Sequence, residues 1–251
     1  MPPRHRPIHS WTAIMTDFSQ EPGAVSGAVS GSASDSVSEA ASGKVSGHAG
    51  EVARAAERRT EPRTVIQSLG HRDLTLATAE SLTAGGLSSR IAEVPGTSVA
   101  LLGGVVAYSS AVKRNVLDVD AQLLQDRGAV DPDVAAAMAR GVASVTGADI
   151  GIATTGVAGP EAHEGKDVGT VYLGLACRKT SAQRLGLSLP AGAEPAAAGL
   201  SPEAAQTWLS GSLLLDLHGD RGEIRAASVE GALKLVEDFL LTEPHGIGDR
   251  D

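Results

Sequence analysis

Residues 79–86 read Ala-Glu-Ser-Leu-Thr-Ala-Gly-Gly and lie between a segment typical of a strand and one typical of a helix. A serine at such a turn projects its hydroxyl from the sheet edge, and the helix N-terminus offers unpaired N–H groups to an anion. Ser81 is therefore a candidate nucleophile beside an oxyanion or phosphate site. A simple helix cap at Ser81 or Thr83 would give the same pattern, and Gly85 fits both interpretations.

A second candidate pair lies in residues 103–113, where Tyr108 ends an apolar strand that we expect to be buried and Lys113 follows. A lysine within reach of a serine in a partly dry pocket has a lowered pKa and acts as a general base. Tyr108 would then relay the proton. The alternative is a tyrosine packed at a strand end and a lysine on a solvated helix face.

A third segment, residues 153–160, reads Ala-Thr-Thr-Gly-Val-Ala-Gly-Pro at the end of another predicted strand. Ligands bind at such loops on the carboxyl edge of α/β sheets, which makes this Gly/Pro loop a candidate binding site. His163 and Glu164 follow, but without a second histidine at ligand spacing they favour an exposed polar loop over a metal site.

The fourth segment, residues 218–225, places Arg221 just past a predicted strand. The planar guanidinium of an arginine there can hold a phosphate or a carboxylate in its fork. An ordinary salt bridge at the start of a helix would look identical.

The elements that must position these residues alternate between strands and helices. Strands are predicted over 74–79, 99–108, 148–153, 168–176, 183–189 and 213–217, and helices over 64–69, 83–92, 110–116, 121–126, 132–146 and 221–240. A surface insertion rich in Pro, Ala and Gly spans residues 190–202. This order predicts a three-layer α/β/α fold with a central mixed β-sheet.

Composition limits the compartment and the partners. The chain has 251 residues and a single cysteine, Cys177, which excludes an internal disulfide framework and a cysteine-rich zinc site. No apolar run is long enough to cross a bilayer, and no secretory signal is visible. We therefore expect a cytoplasmic protein without a membrane partner.

Charge and aromatic content argue against a nucleic-acid partner. Residues 1–64 hold equal numbers of basic and acidic side chains, so the net charge of −9 falls on residues 65–251. Binding of DNA or RNA needs cationic grooves and aromatic stacking platforms. The acidic body offers as aromatics only Tyr108, Tyr172, Trp208 and Phe239.

The N-terminal segment differs in composition from the rest. From residue 19 to about residue 50 it consists mainly of Ser, Gly, Ala and Val with scattered charges. Such a segment cannot bury enough apolar surface to offset the entropy of ordering. We predict that residues 1–60 form a disordered low-complexity tail and that residues 61–251 form the folded domain.

Together these segments resemble the CinA C-terminal domain family, whose enzymes include nicotinamide-nucleotide amidohydrolase. The resemblance covers about residues 65–241, and no single motif is specific. The motifs, in order, are Ala-Glu-Ser-x-Thr at 79–83, Pro-Gly at 95–96, Leu-Gly-Gly-Val-Val-x-Tyr-Ser at 102–109, Lys113, Gly-Ala-Val at 128–130, Gly-Ala-Asp-Ile-Gly at 147–151, Thr-Gly-x-Ala-Gly-Pro at 155–160, Val-Gly-Thr-Val-Tyr at 168–172 and Gly-Asp-Arg-x-x-Ile-Arg at 219–225.

The resemblance implies hydrolysis of the carboxamide of nicotinamide mononucleotide to nicotinate mononucleotide and ammonia, without a metal or another cofactor. Ser81 would be the nucleophile, and Lys113 and Tyr108 would supply the base and the proton relay. Thr155 would be a polar partner near the scissile carboxamide. The alternative is a non-catalytic nucleotide-binding or competence- and damage-associated regulatory module.

The resemblance also implies the groups that bind the nucleotide substrate. The phosphate would lie near backbone N–H groups of the Gly85 or Gly159 turn, with Arg221 as its cation. Thr83 and Gly156 are the other expected contacts. The family tends to form dimers, and a homodimer is expected here, with apolar strands such as residues 213–217 available for pairing.

Two departures from the family pattern touch the expected pocket. Ala84 stands where the family usually has glycine, and residues 161–167 read Glu-Ala-His-Glu-Gly-Lys-Asp where a glycine run and a proline are usual. Both bear on substrate affinity more than on the chemistry, because Ser81, Tyr108, Lys113 and Thr155 are retained.

Overall fold

The computed structural model describes residues 60–242. The predicted tail lies outside the described residues except for Thr60, so its disorder stays a prediction. The helices are α1 (Pro62–His71), α2 (Gly86–Ala92), α3 (Ser110–Leu117), α4 (Ala121–Arg127), α5 (Pro132–Thr146), α6 (Lys179–Leu185), α7 (Pro202–Thr207) and α8 (Arg221–Leu241). The strands are β1 (Leu76–Glu80), β2 (Leu101–Val106), β3 (Ile150–Gly156), β4 (Thr170–Arg178), β5 (Glu194–Pro195) and β6 (Trp208–Asp216).

The strands form one mixed sheet in the order β2-β1-β3-β4-β6-β5. β1 lies between β2 and β3 and is parallel to both, whereas β4, β6 and β5 continue the sheet with antiparallel pairing. Parallel neighbours require crossover connections, which α2 and the α3–α5 segment provide.

Each face of the sheet carries its own apolar core. On one face, helices α1, α2 and α8 pack against strand residues that include Leu76 and Ile150. On the other face, α3, α4 and α5 pack against small strand residues such as Ala77 and Ala153. The predicted three-layer α/β/α fold with a mixed sheet is therefore confirmed. No helix within residues 60–242 has both the length and the apolar character that a membrane crossing requires.

Helix α5 lies unusually close to the sheet because glycines face it. A Cβ atom added at Gly151 would overlap the carbonyl oxygen of Ala139, and one added at Gly174 would overlap the carbonyl oxygen of Ala135. The helix begins at Pro132 after the Asp131 cap, as its sequence predicts. These glycines let the α5 backbone rest directly on β3 and β4.

The close approach of α5 gives a test of the packing. Gly174→Ala is expected to lower the free energy of unfolding by at least about 2 kcal/mol, because the new methyl must displace the α5 backbone. The matched control is Gly70→Ala in α1, where an added Cβ meets nothing within 4 Å. That change should be neutral or stabilising by up to about 1 kcal/mol, since alanine has the higher helix propensity. Urea unfolding of both variants measures the difference, and equal effects would contradict the packing.

Two predictions about elements are wrong. The alternation of Leu185, Leu187 and Leu189 predicts a strand over residues 183–189, but Leu185 ends α6 and Gly186 follows in the left-handed conformation. Leu187 and Leu189 then contact the first core from irregular chain. Three leucines at every second position do not distinguish a short strand from the end of a helix followed by extended chain.

The prediction that Tyr108 ends a buried strand is also wrong. β2 is the edge strand of the sheet, with exposed and half-buried residues alternating along it. Val106 is 50% exposed and Tyr108 is 59% exposed. Apolar composition indicates a strand, but it does not reveal whether that strand lies at the centre or at the edge of a sheet.

Candidate active site

The three parallel strands end side by side at one edge of the sheet, where the chain leaves β1 at Ser81, β2 at Ala107 and β3 at Val157. The connection from β1 to β2 crosses one face of the sheet and the connection from β2 to β3 crosses the other. Such a topological switch point is where open α/β sheets bind ligands.

The turn after β1 presents Ser81. Its N–H donates to the carbonyl of Thr154 at 2.9 Å, which extends the pairing with β3 by one residue. The chain then turns through Ala84 and Gly85, both in left-handed conformations with φ of 51° and 95°. Because left-handed residues cannot belong to a right-handed helix, α2 begins at Gly86, three residues later than predicted.

Glu80, at the end of β1, fixes the other side of this turn. Its carboxylate is fully buried and accepts hydrogen bonds from the amides of Gly85, Leu87 and Ser88 and from the Ser88 hydroxyl, at 2.6–3.0 Å. The Gly85 amide, expected to contact the substrate phosphate, is thus occupied by the protein itself. Sequence reasoning missed Glu80; the available signal was a carboxylate in an otherwise apolar strand.

Lys113 approaches Ser81 from α3, which Ser109 caps. Side chains on a helix lean toward its N-terminus, so Lys113 returns toward the end of β2. Its Nζ lies 3.0 Å from Ser81 Oγ and donates to the carbonyl of Ala107 at 2.8 Å. The structure therefore brings the predicted nucleophile and the predicted base into hydrogen-bond contact.

The environment of Lys113 destabilises its charged form. The side chain is fully buried, and among residues 60–242 no carboxylate forms a salt bridge with it. Burial lowers the pKa of Lys113 to about 8, and the charge of Glu164 opposes this shift. The solvated helix face considered above is excluded.

Three oxygens surround Nζ, and an ammonium can donate to all three, whereas a neutral amine has two N–H donors and one lone pair. The carbonyls of Ala107 and Tyr108, at 2.8 and 3.5 Å, can take the two donors. In the neutral form of Lys113 the lone pair is then left for the hydroxyl proton of Ser81, whereas in the charged form Nζ donates to Ser81 Oγ. Ser81 itself is partly exposed, so a substrate can reach its hydroxyl.

This arrangement predicts how the rate depends on pH. If Lys113 must be neutral to accept the Ser81 proton, kcat/KM rises with pH about tenfold per unit at low pH. The rise should level off near the Lys113 pKa of about 8. Initial rates between pH 6 and 9.5, in a buffer series of constant ionic strength, give the profile. A rate that falls as pH rises through 8 would contradict this role.

Tyr108 and Arg221 meet at the mouth of the site. The guanidinium of Arg221 donates to the phenolic oxygen of Tyr108 at 3.2 Å and to the carbonyl of Gly159 at 2.7 Å. Arg221 is exposed and keeps further N–H donors that could contact an anion. The phenol of Tyr108 contacts Arg221, while its main-chain carbonyl faces Lys113, so this residue connects the two ends of the site.

The remaining predicted residues have contacts within the protein. The hydroxyl of Thr83 lies 2.7 Å from the hydroxyl of Thr154, and the Thr155 hydroxyl donates to the carbonyl of Ala129 at 2.7 Å. Gly156 is paired with β4, and a Cβ atom there would overlap residues 170 and 171. These residues line the strand ends and hold the loops in place.

The main chain after Ser81 also offers hydrogen-bond donors. Within residues 60–242, the amides of Leu82 and Thr83 have no hydrogen-bond acceptor, whereas the amide of Ala84 donates to the Ser81 carbonyl. An amide next to a nucleophile is a frequent source of oxyanion stabilisation in acyl transfer. The site thus combines the predicted nucleophile, the predicted base and unpaired amides.

Comparison with known proteins shows the family of this chain. The sequence profile of the CinA C-terminal domain matches residues 58–192, more than half of the chain. The chain belongs to the CinA C-terminal domain family. A CinA-like protein of Frankia casuarinae is 41% identical over 181 residues, covering 72% of this chain and 35% of the relative. One from Geotalea daltonii is 36% identical over 171 residues, covering 68% of this chain and 34% of the relative.

The chain spans about a third of the length of these curated CinA-like relatives. It covers solved structures of the superfamily almost completely. The CinA superfamily protein KP700603 of Klebsiella pneumoniae has 28% identity and a TM-score of 0.58, with 73% of this chain and 98% of that chain covered. The competence/damage inducible protein CihA of Agrobacterium tumefaciens has 27% identity and a TM-score of 0.57, with 71% and 93% covered.

In this CinA C-terminal domain the predicted residues form two clusters. Ser81 and Lys113 are in direct contact, and Arg221 bridges Tyr108 and Gly159. His163 and Glu164 lie in an exposed loop, and residues 60–242 contain no cluster of three or more metal-ligating His, Cys, Asp or Glu side chains.

Proposed function

We propose that this CinA C-terminal domain hydrolyses the carboxamide of nicotinamide mononucleotide to nicotinate mononucleotide and ammonia. The observation that carries the proposal is the contact between Ser81 Oγ and the fully buried Nζ of Lys113, at 3.0 Å. The substrate itself is taken from the resemblance to a family whose enzymes include nicotinamide-nucleotide amidohydrolase.

The first chemical step forms an ester on Ser81. Neutral Lys113 accepts the hydroxyl proton as Ser81 Oγ attacks the carboxamide carbon, and the carbonyl oxygen becomes an oxyanion. The unpaired amides of Leu82 and Thr83 are the candidate donors to this oxyanion. Lys113 then gives its proton to the departing nitrogen, the C–N bond breaks and ammonia leaves.

The second step regenerates the serine. Water attacks the ester carbon while Lys113 accepts one of its protons, and the same amides stabilise the second oxyanion. The C–O bond to Ser81 breaks, Ser81 recovers a proton from Lys113, and nicotinate mononucleotide leaves. The relay through Tyr108 that the resemblance implies requires its phenol to turn from Arg221 toward Lys113.

The separate amine and guanidinium clusters favour a substrate with an amide at one end and a phosphate at the other. The carboxamide would lie at the Ser81 and Lys113 pair, and the phosphate would lie at the Arg221 guanidinium beside the Gly159 turn. Since the Gly85 amide donates to Glu80, we assign the phosphate to the Gly159 side. Thr155, Thr83 and Gly156 would shape the wall between them.

Ammonia release tests the proposal. The purified protein is incubated with nicotinamide mononucleotide, with nicotinamide riboside and with free nicotinamide at equal concentrations. Only the nucleotide should be turned over efficiently, because only the nucleotide carries a phosphate for Arg221. Binding of the nucleotide without ammonia release would instead favour the regulatory module.

A further inference from the structure

Arg225 contacts the nucleophile turn but belongs to neither cluster of the site. It lies in the first turns of α8, and its guanidinium donates to the carbonyl of Leu82 through Nε at 2.9 Å and to the carbonyl of Thr83 through Nη2 at 3.0 Å. Both carbonyls belong to the two residues that follow Ser81. The charged guanidinium of Arg225 thus donates to two consecutive peptide groups beside the nucleophile.

These hydrogen bonds determine where the next amide points. In a trans peptide the C=O of one residue and the N–H of the next point in opposite directions. Because the Leu82 carbonyl points toward Arg225, the Thr83 N–H points away from it. Helix α8 packs on one face of the sheet and α3, which carries Lys113, packs on the other. The Thr83 amide is therefore directed away from the Arg225 guanidinium.

The same amide is left without an acceptor among residues 60–242. A guanidinium on the carbonyl end of a peptide group polarises it and strengthens its N–H as a donor. The far end of the turn is held separately, by Glu80 on the amides of Gly85, Leu87 and Ser88. Between these two anchors Ala84 stays in the left-handed conformation that alanine disfavours.

We propose that Arg225 is a positioning residue, which orients and polarises the Leu82–Thr83 peptide so that its N–H stabilises the oxyanion formed after attack by Ser81. This inference rests on the proposed function, because it assumes acyl transfer at Ser81. Arg225 touches no reacting atom and acts only through the main chain.

The main test is Arg225→Met, which keeps an unbranched apolar side chain and removes the guanidinium. kcat for nicotinamide mononucleotide should fall about 100-fold, the effect of losing one oxyanion donor. KM should change little, and the pH profile should keep its rise toward the Lys113 pKa of about 8. kcat of Arg225→Lys should be about tenfold higher than kcat of Arg225→Met, because an ammonium can donate to one of the two carbonyls but not to both.

Arg72 supplies the matched control. Its guanidinium also donates to two main-chain carbonyls, those of Ser68 in α1 and Leu240 at the C-terminal end of α8, at 3.2 and 3.1 Å. Arg72→Met should lower thermal stability by as much as Arg225→Met and leave kcat unchanged. Equal kcat losses in both variants, or a loss confined to KM in Arg225→Met, would overturn the proposal.

A second readout separates this proposal from the proposed substrate. An alkyl fluorophosphonate phosphonylates activated serines with loss of fluoride. Its phosphoryl oxygen accepts hydrogen bonds from the same donors that would stabilise the oxyanion. Intact mass spectrometry follows the labelling of Ser81. Wild-type protein should label about 100-fold faster than Arg225→Met. Fast labelling without deamidation would overturn the substrate and keep the role of Arg225. Deamidation with equal labelling rates would overturn the role of Arg225, and absence of both reactions in wild type would overturn both.

Discussion

Ser81→Ala is expected to lower kcat for nicotinamide mononucleotide by about 10⁴-fold or more, because the attacking atom is removed and no ester can form. KM should stay within a few-fold, since Arg221 and the Gly159 turn are unchanged. The assay is ammonia release at saturating substrate. Loss of the hydroxyl removes only its contact with Lys113, so the folded state should persist.

Ser89 provides the control for this substitution. It lies in α2, close in sequence to Ser81, and its side chain is exposed. Ser89→Ala should keep wild-type kcat and the same thermal midpoint. A Ser81→Ala protein that deamidates the nucleotide within tenfold of the wild-type rate would exclude Ser81 as the nucleophile.

Lys113→Met is expected to lower kcat/KM by about 10³-fold, the usual contribution of a positioned general base. Lys113→Arg should be equally inactive, because a guanidinium stays protonated and cannot accept the Ser81 proton. The residual activity of both variants should lose the rise toward pH 8. Stopped-time ammonia assays across the pH range measure both effects.

Lys179 is the matched lysine. It lies in α6, and its Nζ donates to the carbonyl of Ala205, so it resembles Lys113 in bonding to the main chain but lies outside the site. Lys179→Met should keep the wild-type pH profile. An active Lys113→Arg protein would show that the lysine acts only as a fixed charge, which would contradict its role as base.

Lys113 should also make stability depend on pH. Burial lowers its pKa from 10.5 in the unfolded chain to about 8 in the fold, so between these values the unfolded chain binds more protons. The contribution of this group to the free energy of unfolding therefore rises with pH from about 8 to 10.5. A Lys113→Met protein should lack that rise. Comparison with the wild-type protein therefore distinguishes the contribution of Lys113 to the free energy of unfolding from the contributions of other groups.

Local sequence signals predicted the elements whose structure depends on local chemistry. Helix α5 was predictable because Asp131 and Pro132 start it and Gly147 ends it. Strand β1 and the position of Ser81 followed from an apolar run that meets a glycine-rich turn. The contact of Ser81 with Lys113 was suggested by the family resemblance, since the two residues are 32 positions apart.

What the sequence did not reveal depends on pairing between distant segments. The sequence analysis assigns no role to Glu80, because only the turn at residues 81–86 places the amides of Gly85 and Leu87 against its carboxylate. Arg225 is 142 positions from Thr83, so no local pattern predicts their contact. The edge position of β2 depends on the order of strands, which composition does not encode.

The two departures from the family pattern leave the contact between Ser81 and Lys113 intact. The side chain of Ala84 is exposed, so its methyl group does not fill the site. Glu164, in the altered loop, accepts a hydrogen bond from the Ala129 amide at 2.7 Å, while the Ala129 carbonyl accepts one from Thr155. The changed loop is therefore tied to the same main-chain segment as the predicted polar partner.

Product analysis of a single reaction tests the central claim most directly. The protein is incubated with nicotinamide mononucleotide, and the mixture is separated by chromatography and assayed for ammonia, with Ser81→Ala as the blank. Nicotinate mononucleotide and ammonia should appear in equal amounts with wild-type protein and be absent from the blank. Free nicotinamide as the product, or an unchanged nucleotide, would contradict carboxamide hydrolysis by this domain.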